Sequence, residues 1–149
     1  MIEGQEVNRF NLAKCTFIIP LRIETADRMR NIITTLIYLT RNFACRIIVK
    51  EVDKESVYLR DVKPLLEQAL EPEMLNCITH IFEESDDFTF HRTKILNDML
   101  WMVKTPVVAN YDSDIILPVD SYINATNMIL KGWVHPDREG GEPVKVVNP

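Results

Sequence analysis

The chain has 149 residues, a length that suits one domain with its own hydrophobic core. Hydrophobic residues make up 46% of it and charged residues 26%, which excludes disordered and fibrous proteins. The formal net charge of −5 gives no general attraction to nucleic acid or to an anionic membrane surface, so we expect no nucleic-acid partner.

The apolar segments are all short. No stretch reaches the roughly 18 apolar residues that a membrane span needs. Residues 1–14 contain no apolar core of the signal-peptide type. We therefore expect a cytoplasmic protein without a membrane span.

The three cysteines are Cys15, Cys45 and Cys77. Their odd number and the lack of a Cys-x-x-Cys pair argue against a disulfide framework and against a zinc site. We expect them to be small buried hydrophobic side chains.

The first elements alternate between strand and helix. The apolar run at 15–20 predicts a buried strand. Residues 25–42 carry apolar side chains at helical spacing, with Asp27 in the first turn, where the helix dipole favours an acid. A second strand, rich in β-branched residues, is predicted at 45–52.

The alternation continues through the middle of the chain. A helix is predicted at 56–70, although Pro64 should break or restart it. A third strand at 77–84, a helix at 90–104 and a fourth strand at 106–112 follow.

The last predicted helix runs from Pro118 to Gly132, because proline suits the start of a helix and glycine its end. We divide the chain into an N-terminal extension (1–14), an α/β domain (15–133) and a loop-like tail (134–149). The tail is assigned as a loop because it is rich in proline and glycine.

Apolar strands separated by helices predict a mainly parallel sheet with helices on both faces, which is a three-layer α/β sandwich. Ligands of such sheets bind beyond the carboxyl ends of the strands. Three polar strand ends fall there, Pro20–Arg22, Glu51–Asp53 and Asp112–Asp114. The sequence therefore predicts one crevice lined by all three.

Asp112 and Asp114 follow the apolar fourth strand. Residues two apart on an extended backbone project from the same side, so these carboxylates need a positive partner. Mg²⁺ or Mn²⁺ is one candidate, because two carboxylates supply part of an octahedral shell that substrate phosphates and water complete. Arg92 and Lys94 can contact the same phosphates.

Several simpler interpretations stay open. The acidic pair can be a polar turn whose carboxylates bond to local amides, and Arg92 and Lys94 can be a solvated helix face. Arg22 can pair with nearby acids at a helix start. We expect His80 to be a structural histidine and Trp101 to pack against its neighbours.

Phosphatases and mutases also place an Asp-x-Asp pair at a strand end, with the first aspartate as nucleophile. In those enzymes the pair normally lies on the first strand of the domain. Here the first strand ends in IIPLRIE, without such a pair. The phosphatase interpretation is therefore disfavoured.

Three segments in order resemble the GT-A glycosyltransferases, a similarity that covers about residues 15–133. FIIPLRIETADRMRNIITTLIYL (17–39) is similar to the opening of these enzymes, including family 2 enzymes. FHRTKILN (90–97) resembles the FNRAKLLN segment of the beta-1,4-galactosyltransferase family. YDSDIILP (111–118) resembles that family's metal motif with its following proline.

The resemblance implies a metal-dependent glycosyltransferase that moves a sugar, galactose or an N-acetylhexosamine, from a UDP-sugar to a hydroxyl of a glycan or other acceptor. It implies that Asp112 and Asp114 bind Mn²⁺ or Mg²⁺. The residues that it places around the nucleotide sugar are Pro20, Arg22, Glu51, Asp53, Arg92, Lys94 and Asp112.

The second half of that family has no counterpart in this chain. The WGWG-like segment, the catalytic carboxylate and the additional metal-binding histidine are not recognisable, and no catalytic base can be named. The resemblance therefore implies a truncated, donor-binding portion, with the acceptor half missing or supplied by a second chain. The alternatives are a non-catalytic GT-A-like relic or interaction module and, with less support, a nucleotidyltransferase, since no glycine-rich phosphate loop is present.

Overall fold

The computed structural model describes residues 8–132 and 146–147. The described part is built on one sheet with the strand order β3-β2-β1-β4-β5, in which every pairing is parallel. The strands are β1 (Phe10–Leu21), β2 (Phe43–Asp53), β3 (Ile78–Glu84), β4 (Val107–Asn110) and β5 (Val146–Val147). The predicted α/β class with a parallel sheet is confirmed.

The helices follow the predicted order. They are α1 (Ala26–Asn42), α2 (Lys63–Ala69), α3 (Pro72–Leu75), α4 (Arg92–Leu100) and α5 (Val119–Leu130). A π-helical turn, Tyr58–Val62, runs into α2, where Pro64 occupies the first turn. Pro64 thus restarts the helix, as the sequence predicted. The helix predicted at 90–104 is shorter, because the chain leaves α4 through two turns that hydrogen-bond to Met99 and Leu100.

Side-chain alternation along β1 places helices on both faces of the sheet. Phe17, Ile19 and Leu21 join the larger hydrophobic cluster, which also contains side chains of α1, α2 and α5. Ile18 points the other way, into a smaller cluster with Ile95 and other side chains of α4. Each fully buried side chain of this size contributes about 1.5–3 kcal/mol. The two clusters together give the three layers that the sequence predicted.

The domain boundaries differ from the sequence prediction at both ends. Phe10 and Asn11, assigned to an N-terminal extension, belong to β1 and pair with β2, with an irregularity before Thr16. The apolar pattern missed this part because Asn11 and Lys14 are exposed. At the other end, Val146–Val147 forms β5 against β4 where a loop was expected, whereas the rest of the predicted tail lies outside the described residues.

The strand order reverses between β1 and β4. Strands β2 and β3 are added on one side of β1, and β4 and β5 on the other. Parallel sheets bind ligands in the crevice at such a switch point, outside the carboxyl ends of the two strands. This crevice is therefore the first place in which to look for a site.

The side of β1 that faces β4 is left unpaired beyond Ile18, because β4 stops before β1 does. The ladder between the two strands ends at Ile18, whose carbonyl accepts a hydrogen bond from Tyr111 N at 3.1 Å. The backbone nitrogen of Pro20, two residues further along β1, faces the same side of the strand as the Ile18 carbonyl. Its missing N–H removes nothing from the ladder, since β4 has already ended there.

Candidate functional site

The end of β4 sends consecutive side chains in opposite directions. Tyr111 is fully buried and packs edge-on against Phe17, with ring centroids 5.4 Å apart. The Asp112 side chain is 49% exposed. The buried tyrosine therefore fixes the backbone from which the carboxylate projects into the crevice.

Arg92 is the positive partner of this acidic segment. It is the first residue of α4, and its Nη2 donates to Asp112 Oδ1 at 2.6 Å and to Asn110 Oδ1 at 3.3 Å. The two charged side chains are 43% and 49% exposed. Exposed ion pairs contribute about 0–1 kcal/mol, so a charged ligand can open this pair at little cost.

The acidic pair itself lies on a turn. Because β4 ends at Asn110 and residues 113–114 form a turn, the extended-backbone argument that placed both carboxylates on one side does not apply. Asp114 is exposed. Between the two acids, the Ser113 carbonyl accepts a hydrogen bond at 2.7 Å from the hydroxyl of Thr35, a buried residue of α1. The turn is therefore attached to the helix layer.

Three tyrosines hold the segment that follows the turn. The Tyr111 hydroxyl is hydrogen-bonded to the Ile115 carbonyl and to the Tyr122 hydroxyl. The Tyr122 hydroxyl accepts from Leu117 N at 2.9 Å, and Tyr38 donates to the Leu117 carbonyl at 2.7 Å. Burial raises the pKa of Tyr111, and its bond with Tyr122 raises it further, so that this phenol stays neutral. The acidic turn thus rests on a hydrogen-bonded support.

Arg22 stabilises a loop. Its Nε donates to the Val52 carbonyl at 2.8 Å and its Nη1 donates to the Phe88 carbonyl at 3.0 Å. The guanidinium lies 5.2 Å from the centre of the Phe90 ring, and the residue is only 7% exposed. Arg22 was predicted to contact the nucleotide, but its donors are directed at the backbone, so it positions the loop before α4.

The simpler interpretation of Arg22, pairing with acids at the start of α1, is wrong. Glu24 pairs with Arg28 at 3.8 Å, and Asp27 pairs with Arg30. Thr25 caps the helix by accepting a hydrogen bond from Arg28 N at 3.2 Å.

Glu51 is internal and needs correction as a nucleotide contact. Its carboxylate is fully buried and accepts from Ser56 Oγ at 2.5 Å and from Tyr58 N at 3.1 Å, with His80 Nε2 at 3.2 Å. Burial opposes its ionisation, but the bonds from His80, Ser56 and Tyr58 outweigh this and lower its pKa. His80 also stacks on Tyr58 at 4.0 Å, which confirms its predicted structural role.

Lys94 and Arg92 lie on different sides of α4. Residues two positions apart in an α-helix are separated by about 200° around its axis. Lys94 lines a cavity of about 150 Å³ whose wall includes Glu84 and Asp87, whereas Arg92 reaches toward β4. The expectation that both contact the same phosphates therefore does not fit this arrangement.

Asp53 stays at the carboxyl edge of the sheet. It is half-buried at the end of β2, and its Oδ1 accepts from Lys54 N at 2.7 Å. Its carbonyl accepts from Ser85 N at 2.9 Å, which ties the loop after β3 to β2.

Sequence reasoning missed the residues that support the acidic turn. Thr35 gave a usable signal, since a hydroxyl on the apolar face of a helix needs a hydrogen-bond partner. No feature of the sequence indicated that Asn110 would contact Arg92. Trp101, expected to pack, is 90% exposed, and Phe88 in the loop before α4 is 97% exposed.

The carboxylates suit a cation that arrives with a ligand. Within residues 8–132 and 146–147, no group of three or more His, Cys, Asp or Glu side chains is arranged to hold a metal ion. Asp112 and Asp114 supply hard oxygen ligands, but too few for the octahedral shell of Mg²⁺. The donor set therefore fits a cation completed by phosphate and water, and does not fit a resident structural metal.

In the part of the chain that the structure describes, no helix combines the length and the apolar character needed to cross a bilayer. Comparisons of the chain with protein-family models, with curated proteins and with solved structures gave no match.

Proposed function

We propose that the crevice between the carboxyl ends of β1 and β4 binds the diphosphate of a UDP-sugar together with Mn²⁺ or Mg²⁺. On this proposal the chain is the donor-binding portion of a metal-dependent glycosyltransferase of the GT-A type. The observation that carries it is the exposed Arg92–Asp112 ion pair, with Asp114 two residues on, at the switch point of a parallel sheet.

The charges at this point match the two parts of a metal diphosphate. Asp112 and Asp114 are ligands for the cation, and Arg92 is a donor for the phosphate oxygens. Arg92 and Asp112 neutralise each other, with Nη2 and Oδ1 2.6 Å apart. Because both side chains are partly exposed, ligand binding can exchange this contact for two new ones at little cost in stability.

The other residues of the crevice have supporting roles in this proposal. Pro20 leaves the side of β1 open where β4 has ended. Asp53 at the end of β2 is the candidate partner of the base or ribose, and Arg22 fixes the loop that leads into α4. A bound divalent cation would stabilise the departing diphosphate as negative charge develops on it. A glycan or other acceptor would supply the attacking hydroxyl, and on this proposal its base would come from a C-terminal half or a second chain.

Calorimetric titration with UDP, in the presence and absence of Mn²⁺, tests the proposal. We expect binding that depends on Mn²⁺ and that is lost in Asp114→Asn. Asp120→Asn is the matched control, because Asp120 is an exposed acid in the first turn of α5 and should leave binding unchanged. Equal signals from the wild type and Asp114→Asn, or no binding in either, would refute the assignment.

One observation favours a second candidate, a binding module without turnover. The Arg92–Asp112 pair can bind a charged ligand without any base, and no side chain in residues 8–132 and 146–147 has been assigned as the base for an acceptor hydroxyl. An assay for release of free sugar from a UDP-sugar separates the two. Turnover that needs Mn²⁺ and is lost in Asp112→Asn supports the transferase, whereas UDP binding without turnover supports the module.

A further inference from the structure

Two of the three cysteines meet at the opposite end of the sheet from the proposed nucleotide site. Cys45 lies near the start of β2, and Cys77 lies just before β3. Ile47 pairs with Ile78, and Ile47 N donates to the Cys77 carbonyl at 2.8 Å. This register offsets the two cysteines by about one residue on neighbouring segments.

An arginine lies beside the Cys77 sulfur. Arg9 Nη1 is 3.5 Å from Cys77 Sγ, and the same nitrogen donates to the carbonyls of Thr40 at 3.1 Å and Phe43 at 3.3 Å. Those two carbonyls fix the guanidinium in place. A positive charge held next to a sulfur favours the thiolate, which is the nucleophilic form of cysteine.

Cys77 and Cys45 differ in their exposure to solvent and in their pKa. Cys77 is half-buried and Cys45 is buried, and both line an open cavity of about 300 Å³ whose charged side chains are Arg46 and Glu73. The neighbouring Cys45 side chain lowers the pKa of Cys77 to about 5 against the opposing effect of burial, and Arg9 lowers it further. The Cys77 side chain and burial raise the pKa of Cys45.

We propose that Cys77 is a redox-modification site at which peroxides act, and that Cys45 resolves the product as a Cys45–Cys77 disulfide. The Cys77 thiolate attacks a peroxide oxygen, so that an S–O bond forms and the O–O bond breaks. With hydrogen peroxide, the second oxygen leaves as hydroxide and takes up the proton that the Cys77 thiol has lost, and the sulfenic acid is two electrons more oxidised than the thiol. Cys45 attacks that sulfur and releases water, which gives one disulfide and two waters for each peroxide.

This inference does not depend on the nucleotide site. Neighbouring segments of a sheet lie within the Cα separation of about 4.4–6.8 Å that a disulfide needs. The bond would cross-link the starts of β2 and β3. The expectation that the three cysteines are buried side chains holds for Cys15 and Cys45, whereas Cys77 is half-buried. At Cys15, burial raises the pKa to about 12.

Alkylation with iodoacetamide, followed by peptide mass spectrometry of the intact folded chain, tests the reactivity of Cys77. Between about pH 6.5 and pH 8.5 an ordinary thiol reacts about fifty-fold faster as it ionises. We expect the alkylation rate of Cys77 to change less than about threefold over this range. In Arg9→Gln we expect this rate to depend more steeply on pH. The chain unfolded in urea is the control for ordinary behaviour. An ordinary pH dependence of Cys77 in the folded chain would overturn the proposal.

Treatment with hydrogen peroxide tests the second step. The wild type should give a cross-linked peptide pair containing Cys45 and Cys77, lighter by two hydrogen atoms. Cys45→Ser should instead accumulate a sulfenic acid at Cys77 that dimedone traps, because serine is close to cysteine in size but cannot form a disulfide. Cys15→Ser should still cross-link. Absence of the Cys45–Cys77 cross-link from the oxidised wild type, or from oxidised Cys15→Ser, would contradict the proposed second step.

Discussion

Arg92 Nη2 lies 2.6 Å from Asp112 Oδ1, and this contact joins the first residue of α4 to the end of β4. It gives Asp112 a positive partner at the edge of the sheet. The same contact is the basis of the proposed site, because a metal diphosphate offers a new partner to each member of the pair.

Arg92→Ala should weaken Mn²⁺-dependent UDP binding about ten- to a hundredfold, since a hydrogen bond to a charged group contributes about 1.5–3 kcal/mol. Calorimetry measures the change. Lys94→Ala is the matched control, because Lys94 lies on the same helix but lines the cavity beside Glu84 and Asp87. Equal losses in the two variants would mean that general positive charge, and not the position of Arg92, governs binding.

Thr35→Val should loosen the acidic turn without opening the core. The valine keeps the size of the side chain but removes the donor to the Ser113 carbonyl, at a cost of about 1–3 kcal/mol in the free energy of unfolding. UDP binding should weaken as well. Thr34→Val, at an exposed position of α1, is the control. If binding is unchanged while stability falls, the turn does not position a ligand.

Glu51→Gln should destabilise the fold by about 1–3 kcal/mol near neutral pH, because it replaces a buried carboxylate that has three internal hydrogen-bond partners. The pKa of Glu51 is lower in the folded chain than its ordinary value of 4.5. Its contribution is therefore complete above about pH 4.5 and is lost as the pH falls through the folded-state pKa.

Urea unfolding of the wild type and Glu51→Gln at several pH values measures this effect. The difference in unfolding free energy between the two should shrink as the pH drops below about 4.5. Glu55→Gln, at an exposed position, should show almost no difference at any pH. A constant difference for Glu51→Gln over the whole range would show that ionisation of Glu51 does not contribute.

Arg22→Met should free the loop before α4. The methionine keeps much of the apolar stem but loses the donors to the Val52 and Phe88 carbonyls. Hydrogen exchange of the amides at 86–90 should accelerate by at least about tenfold, if the two bonds together contribute more than about 1.4 kcal/mol to closing the loop. Arg28→Met, on the surface of α1, should leave this exchange unchanged.

The order of elements was predictable because apolar periodicity depends on local sequence. The pattern identified α1 and the central strands, and it anticipated the restart at Pro64. It did not predict where individual polar side chains point. Glu51 turned out to be internal because Ser56, five residues on, and His80, from β3, come together around it.

The same limit applies to the basic residues. Whether Arg92 and Lys94 meet one ligand depends on the rotation of α4 over the sheet, which the packing of Ile95 and Met99 sets. The role of Cys77 depends on Arg9, which reaches it from outside the predicted domain. Such contacts arise from tertiary packing, and single-sequence patterns do not contain them.

A crystal structure of the chain with Mn²⁺ and UDP tests the central claim most directly. The account predicts a cation bound to the carboxylates of Asp112 and Asp114, with Arg92 moved from Asp112 to a phosphate oxygen. A crevice that stays empty at saturating ligand, with the Arg92–Asp112 contact intact, would contradict it.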